Sequence, residues 1–251
     1  MSIRWLTVFL DLPAAAFEAD VRFWLQVTDS ELSARRGPDG QFATVLPSLG
    51  DAYLRVQRVQ AGPGGHHLDL HVDRAAESLA EVATRAQALG ARVQHVEDGL
   101  TVLASPGGFT FCLVPWDGER VVPEPVRLDA GGLNRLDQLC LDIPPDRFDA
   151  EGRFWSSLTG WDRRSSRLPE FAYLERPPEL PVRILLQRRE QAGANDAVTA
   201  HLDLACSDVP ALTERHIAAG ARVLARFPYW TAMADPAGRP YCLTSRDPVP
   251  S

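Results

Sequence analysis

No stretch of this 251-residue chain is apolar and long enough to span a bilayer. The one apolar run near the start, Arg4–Leu12, is interrupted by Asp11 and stopped by Pro13, too short for a signal core as well, so a cytoplasmic protein is expected. Basic residues are outnumbered: 26 Lys and Arg face 33 Asp and Glu, and the net charge of −7 repels phosphate backbones and anionic lipid surfaces. Nucleic acid and membrane are therefore not expected as partners. Cysteine is sparse. Cys112, Cys140, Cys206 and Cys242 each sit inside an apolar, strand-like run with no C-x-x-C spacing, which reads as buried free thiols. Phosphate-cradling G-x-x-x-x-G-K, dinucleotide-type G-x-G-x-x-G and the G-x-S-x-G elbow are all missing. Gly62-Pro63-Gly64-Gly65 runs into a strand, so no helix N-terminus there points at an anion. With 45% hydrophobic and 24% charged residues, the chain can bury full cores.

An internal repeat organises what is present. His67–Leu70 and His201–Leu204 both read HLDL, Gly90–Val93 and Gly220–Val223 both read GARV, and Ser105-Pro106-Gly107-Gly108…Cys112-Leu113 parallels Asp235-Pro236-Ala237-Gly238…Cys242-Leu243. The separations are 134, 130 and 130 residues, a duplication with a four-residue adjustment near the helix after HLDL. Leu10-Asp11-Leu12-Pro13 and Phe23-Trp24 recur 131 residues on as Leu141-Asp142-Ile143-Pro144 and Phe154-Trp155.

Within each copy the periodicity reads β, α, then strands, twice over. A strand over Arg4–Leu12 precedes a helix whose Phe17, Val21, Trp24 and Leu25 share one stripe, and strands follow around Phe42–Leu46 and Ala52–Val59. After the strand His67–Val72, Asp73 is expected to cap a helix bearing Leu79, Val82, Ala83, Ala86 and Leu89, with Gly90 just past its end. Arg92–Val96, Leu100–Ala104 and Phe109–Val114 complete that module. Asp117–Gly132, rich in Pro, Gly and charge, reads as a linker between domains 1–116 and 133–251. The second copy is expected to hold a helix ending near Leu158, strands near Phe171–Glu175 and Val182–Gln187, and a last helix started by Asp208 and Pro210 and stopped by Gly220. Acidic pairs such as Glu18/Asp20 fall at helix starts and complement the helix dipole.

Tandem βαβββ modules, the HLDL strands and the ADP-x-G-x-x-Y-C-L hairpin resemble the glyoxalase, bleomycin-resistance and extradiol-dioxygenase superfamily, the vicinal oxygen chelate fold, over nearly the whole chain. The resemblance implies an α+β fold of four βαβββ modules forming two glyoxalase-like domains, each a curved mixed sheet around a cleft with helices outside. It also implies a divalent metal held by residues from the first and last strands of paired modules. Matched by motif, those positions are Thr7, Gln57, His67 and Cys112 in the first domain and Gln138, Gln187, His201 and Cys242 in the second. Members of the family pair modules within or between chains, so a homodimer is allowed.

The donor types at these positions are nearly all neutral, one histidine per copy with Gln, Thr and Cys, whereas divalent cations favour carboxylates. This predicts a degenerate site, with no metal as the first expectation and His201, Gln138 and Gln187 as the ligands if one is present. On a strand of period two, His67, Asp69 and His71 face away from Leu68, Leu70 and Val72. Each histidine then either finds a partner within the sheet or meets a ligand in the cleft. Trp161, Tyr229 and Trp230 sit beside turns of the second copy, where an aromatic can close a cleft or pack in a core; Trp24 and Trp155 belong to helical core stripes, and His95 and His216 read as surface or helix-face residues. The leading expectation is a binder of a small organic molecule in the second cleft, through His201, Gln138, Gln187, Trp230 and Cys242, with His67 and Gln57 as first-copy counterparts and no assigned catalytic residue. The alternative is a metal-dependent lyase or isomerase acting on a carbonyl substrate with vicinal oxygens. A ring-cleaving dioxygenase would need two histidines and a carboxylate on iron, which neither copy's matched positions supply.

Overall fold

The computed structural model describes residues 2–127, 132–191 and 196–249. The first copy runs β1 (Ile3–Pro13), α1 (Phe17–Val27), β2 (Ser30–Leu32), β3 (Phe42–Pro47), β4 (Leu54–Val59), β5 (Gly65–Val72), α2 (Leu79–Ala88), β6 (Arg92–Glu97), β7 (Leu100–Ala104) and β8 (Thr110–Pro115). A short β9 (Val126–Arg127) follows. The second copy runs β10 (Leu133–Ile143), α3 (Phe148–Thr159), β11 (Arg163–Ser165), β12 (Phe171–Leu174), β13 (Arg183–Arg188), β14 (Thr199–Cys206), α4 (Val209–Ala218), β15 (Arg222–Arg226), β16 (Trp230–Ala234) and β17 (Pro240–Thr244). Each copy lays its strands into one mixed sheet, in the orders β2-β3-β4-β1-β5-β8-β7-β6 and β11-β12-β13-β10-β14-β17-β16-β15. The β5–β8 and β14–β17 pairs are parallel and the hairpins antiparallel. The α+β class and the four βαβββ modules are as the resemblance implied.

Local departures have local causes. Asp73 caps only a turn, accepting from the Ala75 N–H at 3.0 Å, while α2 starts at Leu79 and is capped by Ser78, whose hydroxyl and the Glu81 carboxylate form a reciprocal capping box. The short edge strands β2 and β11 lack an apolar run, because an edge strand of three residues needs none. In the segment read as a linker, β9 adds to β10 through Leu133↔Arg127 and Asn134↔Val126; residues 128–131, including Gly131, lie outside the described residues. Asp208 caps α4 as expected, accepting from Ala211 N–H at 3.0 Å, and Gly90 and Gly220 take the left-handed conformation that ends α2 and α4.

Packing divides the chain into two compact units, and each draws a module from either copy. One comprises Met1–Phe9, His66–Arg120 and Leu139–Ala200; the other comprises Leu10–Gly65, Val121–Gln138 and His201–Ser251. In the first unit α2 packs on β6, β7 and β8 and against α3. Trp155 of α3 is fully buried, with its ring 5.2 Å from Phe111, and its Nε1–H donates to Glu151 at 2.9 Å. The other Glu151 oxygen accepts the Gly107 N–H in the β7–β8 turn at 2.8 Å. Burial pushes the Glu151 carboxyl up from its ordinary range, against these hydrogen bonds.

The second unit builds the same joint from the equivalent positions. Trp24 of α1 meets Tyr241 at 5.4 Å, and Asp20 accepts the Ala237 N–H in the β16–β17 turn at 3.0 Å. Asp20 thus does more than complement a helix dipole: it is fully buried and joins the hairpin turn to α1. Arg239, bonded to Asp235 at 2.6 Å, also approaches Asp20 at 3.5 Å. His216 does not lie on the surface. It is wholly buried on α4, its Nδ1 sharing a 2.8 Å hydrogen bond with the Tyr241 hydroxyl. The turn residue and the acid match in size. Gly107 lies under the longer Glu151 and Ala237 under the shorter Asp20, and a Cβ on Gly107 would come within 2.7 Å of Glu151 Oε2.

Candidate functional site

The two HLDL strands place their polar residues by alternation. In β5, Leu68, Leu70 and Val72 are fully buried on one face, and His67, Asp69 and His71 occupy the other. The parallel register sets Asp69 opposite Cys112 on β8 and Asp203 opposite Cys242 on β17. Each histidine of interest therefore stands two residues from a carboxylate that itself adjoins a thiol.

In the first unit, the donor atoms of His67, Asp69 and Cys112 all lie within 4.8 Å of one another. His67 Nε2 and Asp69 Oδ1 are 3.9 Å apart, longer than a hydrogen bond. The Phe9 ring stacks on the imidazole at 4.2 Å and 15°, which fixes its plane. Thr7 does not join this group. Its hydroxyl bonds His71 Nε2 at 2.9 Å, and His71 Nδ1 approaches Glu119 Oε1 at 3.3 Å. Burial alone would raise the Glu119 carboxyl, but the His71 contact and backbone N–H donors hold it down at about 2. Gln57 is half-buried on β4, paired in register with Phe42.

The second unit binds its carboxylate internally. Gln138 Nε2 donates to Asp203 Oδ2, and Arg246 donates to Gln138 Oε1 and to Asp137 Oδ1. His201 Nε2 stands 3.4 Å from Asp203 Oδ1. Burial alone would raise the Asp203 carboxyl, yet His201, Arg246 and Gln138 together hold it below the usual range. His201, Gln138 and Cys242 are all less than a tenth exposed. Gln187 is on β13 in the first unit, where its Oε1 faces the Cys140 thiol at 3.5 Å; Cys140 follows Gln138 by two residues and shares its face of β10.

The aromatic residues divide differently from their sequence positions. Trp161 is 2% exposed and belongs to the core, Tyr229 is 62% exposed, and Trp230 is half-buried with its ring stacked on Phe227 at 4.6 Å. All four cysteines are buried free thiols.

The expectation of a wholly neutral site is corrected by Asp69 and Asp203. Alternation places them on the polar face, two residues beyond the histidines on β5 and β14, whereas the motif match takes one position from each of those strands. Arg246 had no sequence signal at all: it follows the last strand, and its counterpart 130 residues earlier is Trp116.

Paired βαβββ modules in tandem define a protein of the vicinal oxygen chelate class. The chain belongs to the glyoxalase-like domain family, which matches residues 7–114 and 138–244. No curated protein matches it by sequence. Among solved structures, the Mn(II)-bound glyoxalase from Novosphingobium aromaticivorans shares 14% identity with a TM-score of 0.66, covering 97% of this chain and 81% of that one. The 2,3-dioxygenase LapB from Pseudomonas sp. KL28 shares 12% identity with a TM-score of 0.64, covering 97% and 92%. The 2,2',3-trihydroxybiphenyl 1,2-dioxygenase from Sphingomonas wittichii strain RW1 shares 16% identity with a TM-score of 0.59, covering 97% and 90%. At these identities the likeness is one of fold. No described helix is long and apolar enough to cross a membrane.

Proposed function

We propose that the protein is a glyoxalase-type lyase or isomerase that binds a divalent transition metal through His67, Asp69 and Cys112 and acts on a small carbonyl compound with vicinal oxygens. The observation that carries this reading is the 3.9 Å between His67 Nε2 and Asp69 Oδ1, with the Cys112 thiol alongside. Two ligands at about 2.0–2.1 Å on a tetrahedral ion stand roughly 3.3 Å apart, so a small adjustment admits an ion where a direct hydrogen bond is too long. The nitrogen, carboxylate and thiolate set suits zinc better than magnesium, which takes oxygen ligands. Likeness in fold to a Mn(II)-bound glyoxalase agrees with metal use in general.

When bound, a divalent ion polarises a substrate oxygen as a Lewis acid. The chain's own residues prepare the place: Phe9 holds the imidazole plane by stacking, and Asp69 offsets one positive charge. Enclosure by the sheet strengthens these electrostatic interactions by excluding water.

A second reading applies to the second copy, where Gln138, itself held by Arg246, already takes up one oxygen of Asp203. There His201, Cys242 and the half-buried Trp230 serve a metal-free site for a small organic molecule. Metal analysis of purified protein after zinc or manganese loading separates the copies. One equivalent per chain, lost in His67→Ala and Cys112→Ser and kept in His201→Ala, is the expected result. Loss only in His201→Ala would move the metal to the second copy, and no uptake by wild-type protein would remove the enzymatic reading.

A further inference from the structure

Away from both HLDL strands, the second unit contains a cavity of about 260 Å³. Val45, Pro47, Leu54, Pro123, Val126 and Leu136 supply its apolar wall. Arg135 of β10 also lines it, and Arg135 is only 7% exposed. Among the described residues no carboxylate pairs with this guanidinium, and its buried Nε has no hydrogen-bond partner. The contrast is Arg239, similarly enclosed but bonded to Asp235 and facing Asp20.

Four of the cavity's other donors are already committed. The Tyr53 hydroxyl donates to Leu136 O at 2.7 Å, and the Asn134 amide donates to Val27 O at 3.1 Å. The Thr28 and Ser30 hydroxyls donate to Trp24 O and Thr28 O. Asp29, Glu124 and Arg127 also line the cavity, but all three are exposed and none pairs with Arg135. A buried guanidinium without a counter-ion is strongly unfavourable. A carboxylate matches its fork with two parallel hydrogen bonds.

We infer that this cavity is a binding site for a small monocarboxylate with an apolar body, held by Arg135. The volume limits the ligand to about one ring or a short branched chain, since drug-sized ligands occupy roughly 300–1,000 Å³. The site is separate from the residues of the proposed metal site.

The test is calorimetric titration of the full chain with benzoate, benzamide and inorganic phosphate, in buffer containing a chelator so that the outcome is independent of metal binding. Benzoate is expected to bind and raise the melting temperature, with benzamide weaker by roughly tenfold or more because it brings no charge to the guanidinium. Arg135→Met is expected to fold, since it removes an unpaired buried charge, and to lose benzoate affinity by roughly tenfold or more. Arg135→Lys keeps the charge without the fork and is expected to bind with intermediate affinity. Undiminished benzoate binding in either variant, equal binding of benzamide, phosphate binding in place of benzoate, or no benzoate binding by the wild type would each overturn the inference.

Discussion

Asp20 lets the packing of α1 on the β16–β17 turn be tested by pH. It has no exposed surface, and its carboxyl is pushed up from an ordinary 3.8 to about 6. Burial is the largest cause, followed by the nearby Asp235; Arg239 and the Ala237 N–H pull the other way. The folded state therefore favours the protonated acid. The stabilisation from that proton is complete below pH 3.8 and is lost as pH rises through 6. Two pKa units correspond to about 3 kcal/mol of ionisation cost at pH 8. Asp20→Asn removes this cost and keeps an oxygen for the Ala237 N–H, but it sets an amide N–H against Arg239. About 1–2 kcal/mol of net stabilisation should survive. In a chain of this size that raises the melting temperature by about 3–6 °C at pH 8, with little difference at pH 4. Thermal melts of both proteins from pH 4 to 8 measure it. A difference that does not change with pH, or an Asn variant less stable at pH 8, would refute the reasoning.

His216 titrates across an overlapping window with the opposite sign. Burial, and secondarily Arg215, lowers it from 6.5 to about 4, so its contribution is complete above pH 6.5 and lost as pH falls through 4. His216→Phe should cost about 1–3 kcal/mol at pH 8 by orphaning the Tyr241 hydroxyl, with the deficit shrinking in acid melts. Gly107→Ala should destabilise by about 1–3 kcal/mol in denaturant titrations, because its Cβ meets Glu151 and Val198, and Glu151→Asp should partly relieve it. Trp155→Phe should cost about 1–3 kcal/mol through the lost bond to Glu151 and the smaller ring.

Much of the site's local geometry was legible in the residues. The alternation of HLDL puts His67 and Asp69 on one face and the leucines on the other, because successive side chains of a strand point to opposite sides. The parallel β5–β8 register that brings Cys112 beside Asp69 was not legible, since it depends on a pairing 43 residues along the chain. The α2 cap is legible as Ser78-x-x-Glu81, a capping-box pattern that Asp73, followed three residues on by Ala76, does not carry.

By itself the sequence determined the order of elements, their exposed and buried faces, the turn glycines and the duplication, all set by interactions within a few residues. Tertiary structure alone decided what each face meets. Asp20 bonds a turn 217 residues away, His216 and Trp161 go into cores, Arg246 bonds the Gln138 that donates to Asp203, and Arg135 lines a cavity with no carboxylate paired to it among the described residues. Periodicity specifies which side of a helix or strand is apolar. It carries no address for the element that covers that side, and the environment supplied by that element sets the charge and partners of every buried polar group.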